Sequence, residues 1–371
     1  MNEPITNYLS TAILATKLVS CRFNILHGGS LVSQAKMRWD SSFAPEWLRV
    51  FGFEPDTDRA KIFGATRISE AAERHVYHKA LWSHETSVTL RISETLGASS
   101  VFQHNFDEIS RWSEFNLGKD IEKIEVEAAS ADDWARYTGV DYMDFAYLNV
   151  EGSELNVLKG MDQLLKGIVG VIAEVNLIPT YFTGAPVFAD VDIHMRSRGY
   201  SLFGFLPGMQ YVGRGASPVN TLKPTMAGNL VEHDPSRGRQ ILQGKAIYFR
   251  DPLSSRWEGQ HSAVKVLKLA CLAEVYGQIE FAFEIANWCR DNLLKKVPAA
   301  SSALSEAIEK AASLYNAPGP RGESPEVGET SLELEKMKNL HAVQIERMQN
   351  NYSILLEQHL RATGVLDDLQ D

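Results

Sequence analysis

Carboxylates placed where apolar strands end can hold a nucleoside or move a proton, and three acids in this chain stand in or just after such runs. Glu54 follows Leu48-Arg49-Val50-Phe51-Gly52-Phe53 and lies 26 residues after Gly28. A carboxylate so placed accepts both hydroxyls of a ribose when a glycine turn closes the preceding strand. Gly28-Gly29-Ser30, after Phe23-Asn24-Ile25-Leu26, offers that turn. Only glycine lets the backbone come so close to a ligand. The alternatives are an ordinary glycine turn and an exposed acid opening a turn before Pro55.

Asn149-Val150-Glu151-Gly152-Ser153 closes another apolar run. Glu151 there is a candidate general base, or a holder of a substrate hydroxyl. A strand-to-helix turn whose polar groups satisfy the helix N-terminus is the competing reading. Glu174 interrupts the most apolar run of the chain. A buried carboxylate is costly unless paired or protonated, so it is either functional or ion-paired to a neighbouring Lys or Arg. His104 follows Gly97-Ala98-Ser99-Ser100 and is a second candidate base. Glu174 and Asn149 are read as orienting groups. His75 and His78 would fall on opposite faces of an extended strand, so no metal site is expected. No H-E-x-x-H, P-loop or G-x-S-x-G signature is present.

The elements that must position these residues follow from periodicity. Strands are expected at 23–26, 48–53, Val76 to Trp82, Ser87 to Ile92, 124–128, Asp144 to Val150, Ile168 to Val175, Tyr200 to Phe205 and Lys245 to Arg250. Helices are expected over 5–19, from about Asp56, and over 187–198. Another starts at a Ser153 cap, with Leu155, Leu158, Met161 and Leu165 on one face and Gly167 at its end. Strands alternating with helices predict an α/β, doubly wound, mostly parallel sheet with its ligand site at the strand C-terminal ends. Beyond residue 255 the pattern is helical. Residues 261–293 fit two helices broken near Gly277, and 301–314 fit a third. The Pro/Gly-rich stretch Ala317 to Pro325 reads as a linker. Residues 331–361 are expected to form a long charged helix that either makes a coiled coil or docks a partner, or else packs on its own chain or is a loose tail. The expected organisation is an N-terminal helix (1–22), an α/β domain (23–252), a helical region (257–314), a linker (315–330) and a C-terminal helix and tail (331–371).

Composition excludes several classes. Of 371 residues, 44% are hydrophobic and 23% charged, which is globular rather than disordered. A net charge of −10 argues against a nucleic-acid surface. No stretch is long and apolar enough for a membrane span, and Glu3 and Lys17 mark the N-terminus as an amphipathic helix rather than a signal peptide. Cys21, Cys271 and Cys289 form no C-x-x-C pair, as expected of thiols in a reducing cytoplasm.

Taken in register, several segments resemble the FkbM family of S-adenosylmethionine-dependent O-methyltransferases. They are Gly52-Phe53-Glu54-Pro55-Asp56, Lys79-Ala80-Leu81 and Ala98-Ser99-Ser100-Val101. Next come Asp144-Phe145 through Val150-Glu151-Gly152-Ser153-Glu154-Leu155 to Gly160, then Ala173-Glu174-Val175 and Pro179-x-Tyr181. Pro186 to Asp192 and Arg198-Gly199-Tyr200 complete the set. The resemblance runs from about residue 23 to 206 and weakly on to 252. It implies a seven-stranded, Rossmann-like methyltransferase sheet and methylation of a hydroxyl on a sugar, glycan or natural-product acceptor. By the same resemblance Gly28, Gly29 and Ser30 lie against the methionine part of the cofactor, Glu54 takes the ribose, and Ala80 and Leu81 lie near the adenine. Asn149 to Gly152 would face the reaction centre. The chain departs from the family pattern at Leu26, where an acid is usual, at Tyr147, where Lys is common, and at Asn149, where Asp is usual. A later loop glycine is missing from Leu31-Val32-Ser33-Gln34. These changes remove charge from the site. They keep open a methyltransferase-like binding or scaffold protein acting through its C-terminal helices, and another nucleotide-dependent transferase on the same sheet. Those helices are also candidates for a homo-oligomer contact.

Overall fold

Strands buried on both faces build the sheet. In a computed structural model the chain forms strands β1 (Phe23–Gly28), β2 (Leu48–Phe53), β3 (Glu73–Tyr77), β4 (Ala80–Leu81), β5 (Thr86–Ser93), β6 (Asp120–Ala129) and β7 (Phe145–Leu148). They are followed by β8 (Gly170–Asn176), β9 (Ser201–Phe205), β10 (Gln210–Val212), β11 (Leu222–Pro224), β12 (Val231–His233) and β13 (Gln240–Phe249). The structure describes residues 7–29, 37–56, 71–95, 97–111, 119–182, 184–206, 210–212, 222–224, 231–233, 240–255 and 262–317. The expected helix from Asp56, Ser30, most of the linker and the 331–371 helix lie outside these residues.

The main sheet runs β3-β2-β1-β7-β8-β13-β10, and β9 shares the far edge of β13 with β10. β3, β2, β1, β7 and β8 are mutually parallel, while β13 runs antiparallel to β8. This is the α/β, doubly wound, seven-position sheet that the sequence predicts. Side chains alternate across it. Phe23, Ile25, Val50, Phe145, Ile172 and Phe249 face one apolar cluster. Leu26, Phe51, Leu148, Val171, Ala173 and Tyr248 face the other.

The second face is covered by helices Ala131–Thr138, Glu154–Lys159, Asp162–Leu165 and Phe188–Ser197. The first is covered by helix Tyr8–Ala15 and by helices Ala263–Val275, Ile279–Asn292 and Pro298–Asn316. Two buried charges fasten this cover. Lys268 donates to Asp144 at 2.7 Å and to the Arg22 carbonyl at 2.5 Å. Glu274 accepts the backbone N–H groups of Leu9 and Ser10 at 2.7 and 2.6 Å, and the Tyr315 hydroxyl at 2.6 Å. Its carboxylate thereby satisfies the free donors at the start of the N-terminal helix.

Two local expectations are corrected. The Val76 to Trp82 run is split between two sheets: Tyr77 ends β3 beside Phe53, while Ala80 pairs with Ala128 in the small sheet β4-β6-β5. β3 lies at the edge of the described main sheet and leaves Val76 exposed, so its apolar residues need not share one strand with buried Ala80 and Leu81. Ser153 makes no capping bond. Its φ and ψ of −93° and 5° are not those of an extended cap, and Glu154 instead folds back to accept the Val150 N–H at 2.8 Å. The helix it begins also stops at Lys159, short of Gly167, and Gly160 after it passes against the Trp82 backbone, where a Cβ would sit 2.0 Å from the Trp82 carbonyl oxygen.

Candidate active site

At the C-terminal ends of β1, β2 and β7 the chain closes around a cleft of about 770 Å³, part of it open to solvent. Gly29, Glu54, Ala80, Leu81, Asn149 and Glu151 all line it, with Phe53, Leu90 and Val101 adding apolar wall. The β1 turn is drawn tightly against β7. Asn149 N–H donates to the Gly28 carbonyl at 3.0 Å, and Gly29 N–H to the Phe53 carbonyl at 3.1 Å. Gly29 has φ of +72°, and a Cβ there would lie 1.8 Å from the Asn149 carbonyl oxygen. No other residue fits this turn without moving β7.

Glu54 leaves β2 with its N–H bonded to the Tyr77 carbonyl at 3.0 Å and its Oε1 accepting the Asp56 N–H at 3.0 Å. These bonds hold its carboxylate at the cleft beside the apolar wall of Ala80 and Leu81.

The other end of the cleft is acidic. Glu151 is half-buried and has a φ of +49°, a left-handed conformation that costs a non-glycine residue energy. Its carbonyl accepts the Ser100 hydroxyl at 2.6 Å, and its carboxylate faces the Tyr181 hydroxyl at 3.4 Å. Burial, then Glu174 and Glu154, push its carboxyl well above the usual carboxylate range. Glu154 is pushed up to about 8, first by burial and then by Glu174. Burial also raises Glu174, and Lys245, 4.0 Å away, opposes that. Burial pulls the Lys245 ammonium down, but Glu174 and Tyr147 outweigh it and bring it to about 12.

The structure brings most of the expected residues together and sets three of them back: Gly28, which packs against Leu148, Leu81 and Val150, Glu174 and His104. Glu174 does not line the cleft. It lies behind Asn149, whose side-chain amide donates to both of its oxygens once its nitrogen rather than its oxygen is turned toward them, and it accepts Gln243 Nε2 at 3.0 Å. It is thus both ion-paired and attached to the site. His104 is fully buried, away from the cleft, and stacks on the Tyr181 ring at 5.3 Å. Burial lowers its pKa, and its Nδ1 lies 3.4 Å from Asp120. The Gly97–Ser100 loop does reach the cleft, but the chain turns inward after it to pair His104 with Tyr181. Leu26 and His27 do not line the cleft either. Leu26 packs in the apolar cluster on one sheet face. His27 lies on the other face against Trp39 and Tyr147, with its pKa lowered to about 3 by burial and then by Lys245.

Sequence reasoning did not single out Glu154, Tyr181, Ser100 or Lys245 as site residues. Glu154 reads locally as a helix first-turn acid, and Lys245 as the start of a strand. Only the antiparallel register of β13 on β8 places Lys245 opposite Glu174. Among the described residues no group of His, Cys, Asp and Glu is arranged to hold a metal ion, and no helix is long and apolar enough to cross a membrane.

Residues 39–202 match the family model described as the methyltransferase FkbM domain. Over that span the chain is similar to the methyltransferase FkbM domain. That span holds Glu54, Ala80, Leu81, His104, Asn149, Glu151 and Glu174, with the Gly28-Gly29 turn just before it. Among solved structures, a methyltransferase FkbM from Methylobacillus flagellatus KT aligns at 15% identity and a TM-score of 0.28, covering 65% of this chain. The aligned part spans 47% of the length of that protein. No curated protein matches the chain.

Proposed function

We propose that the chain transfers a methyl group from S-adenosylmethionine to a hydroxyl of a small-molecule, sugar or glycan acceptor. What supports this reading is the single cleft, within and beside the FkbM domain, that joins a bare glycine turn and Glu54 to Asn149 and Glu151. The lining fits a nucleoside cofactor. Gly29 presents backbone without a side chain, Glu54 presents two acceptor oxygens to a ribose diol, and Ala80 and Leu81 give an apolar surface for a purine. The cofactor, when bound, supplies an electrophilic methyl group on a sulfonium.

The chain's own task is to orient the acceptor hydroxyl and take its proton. Glu151 is the base in this reading. Burial, then Glu174 and Glu154, raise its proton affinity above that of an ordinary carboxylate, the direction a general base needs. Asn149 fixes its amide on Glu174 and thereby shapes the floor of the cleft without adding a third charge. Lys245 offsets the negative charge behind that floor.

Calorimetric titration of the purified protein with S-adenosylmethionine and S-adenosylhomocysteine tests the reading. Binding should weaken by about 1–3 kcal/mol in Glu54→Ala, as when a hydrogen-bonded charged acceptor is lost. A well-folded sample that binds neither compound overturns the enzyme reading and leaves a binding or scaffold protein.

A further inference from the structure

Glu151 is held from two sides by segments far away in the chain. On the backbone side, the Ser100 hydroxyl donates to its carbonyl at 2.6 Å. On the side-chain side stands Tyr181. The Tyr181 ring lies against Gly152, where a Cβ would meet the ring at 2.7 Å; Gly152 itself has φ of +95°. The Tyr181 main chain is clamped as well. Asn105 N–H donates to the Thr180 carbonyl and Phe182 N–H to the Gln103 carbonyl, both at 2.9 Å, and His104 backs the ring. The phenol can therefore move little, and its hydroxyl is directed at Glu151 Oε2, 3.4 Å away. A left-handed non-glycine residue pinned at both ends, in a cleft, is strain kept for a use.

We propose that Tyr181 is a positioning residue that holds the Glu151 carboxylate in place and favours its ionised form through a donated hydrogen bond. This rests on the reading of Glu151 as the base. The groups facing Glu151 are Glu154 from the helix after it, Glu174 from β8, Lys245 from β13 and Tyr181 itself. The two glutamates oppose ionisation, and Lys245 and the phenol favour it. Burial and the three nearby glutamates keep the phenol protonated, so it remains a donor. Lys245 lies nearest Glu174, which leaves Tyr181 as the group whose hydrogen bond reaches the Glu151 carboxylate, while Ser100 holds its carbonyl.

The test needs no acceptor. Full-length protein carrying ¹³C-labelled glutamate side chains is titrated with pH, and the Glu151 carboxyl signal is assigned by its loss in Glu151→Gln. In Tyr181→Phe, which keeps the ring against Gly152, the Glu151 midpoint should rise by roughly half to one pH unit, less than a short hydrogen bond to a charged group gives because the contact is 3.4 Å. A packing role alone would leave the midpoint unmoved, and an unchanged midpoint in folded Tyr181→Phe overturns the proposal. S-adenosylhomocysteine titration of the same samples separates the two claims. If wild-type protein does not bind it, the methyltransferase reading fails, while the midpoint comparison still decides the role of Tyr181.

Discussion

Replacing Lys268 by Met tests whether the C-terminal helices are part of the sheet's core. Lys268 and Asp144 are 1% and 2% exposed, and the ammonium lies 2.7 Å from the carboxylate. In Lys268→Met the stem volume is kept, but Asp144 loses its partner and retains the Asn24 backbone N–H at 2.8 Å. Leaving one member of a buried pair uncompensated costs about 3–5 kcal/mol. Burial already raises the Asp144 pKa, and Lys268 opposes that, so the variant should shift it further up. An acid whose folded pKa is raised binds more protons folded than unfolded, so its contribution to stability falls as pH rises through that range. The loss in Lys268→Met should accordingly be larger at neutral pH than in acid. In Lys268→Met/Asp144→Asn the amide oxygen still accepts the Asn24 N–H, both charges are gone, and only the Arg22 carbonyl loses a donor, at about 1 kcal/mol. Urea unfolding followed by tryptophan fluorescence, with midpoint and slope compared across wild type, Lys268→Met, Asp144→Asn and the double variant, gives the coupling. A single variant costing under about 1 kcal/mol, or a double variant as unstable as the single, would refute the argument.

Two further outcomes follow from the same reasoning. Glu154 holds its proton up to about pH 8 in the folded protein but loses it near 4.5 when unfolded, so folding stability from this group declines as pH rises between those values. Glu154→Gln should flatten that decline in melting temperature, and an unaltered slope would show that Glu154 is ionised in the fold. Removal of residues 317–371, which form a unit separate from Met1–Asn316, should leave one cooperative thermal transition; a broad, non-cooperative melt of the shortened protein would contradict the division.

Much of the sheet was legible because its burial is two-sided and regular. Ile168 to Val175 reads as a central strand from apolar continuity alone, and β8 is buried along its whole length. Gly29, Glu54, Asn149 and Glu151 were legible for a related reason: each ends an apolar run, and in a parallel sheet such ends converge. Val76 to Trp82 misled because apolar content does not say which sheet a strand joins. His104 misled because nearness in sequence to a cleft loop says nothing of which way the next residue turns. Tyr181 and Lys245 act through pairing between segments distant in sequence, His104 with Tyr181 and β13 with β8, which no local pattern encodes.

The departures from the family pattern look different once placed in three dimensions. Residues 147, 149, 174 and 245 meet across three adjacent strand ends. An aspartate at 149 would set a second carboxylate against Glu174, a like-charge contact that disfavours ionisation of both. Asn149 instead gives that carboxylate two N–H donors. Tyr147 carries no cation, but the Lys245 ammonium lies 5.6 Å from the centre of its ring and 4.0 Å from Glu174. A carboxylate, an amide and an ammonium therefore still meet at this floor, with the positive charge on β13 rather than β7. Leu26 lies in an apolar cluster rather than at the cleft, so an acid there would need either a partner within that cluster or a different turn after β1. The loss of charge at 26, 147 and 149 is thus matched by compensating contacts nearby at 149 and 147 and by apolar packing at 26.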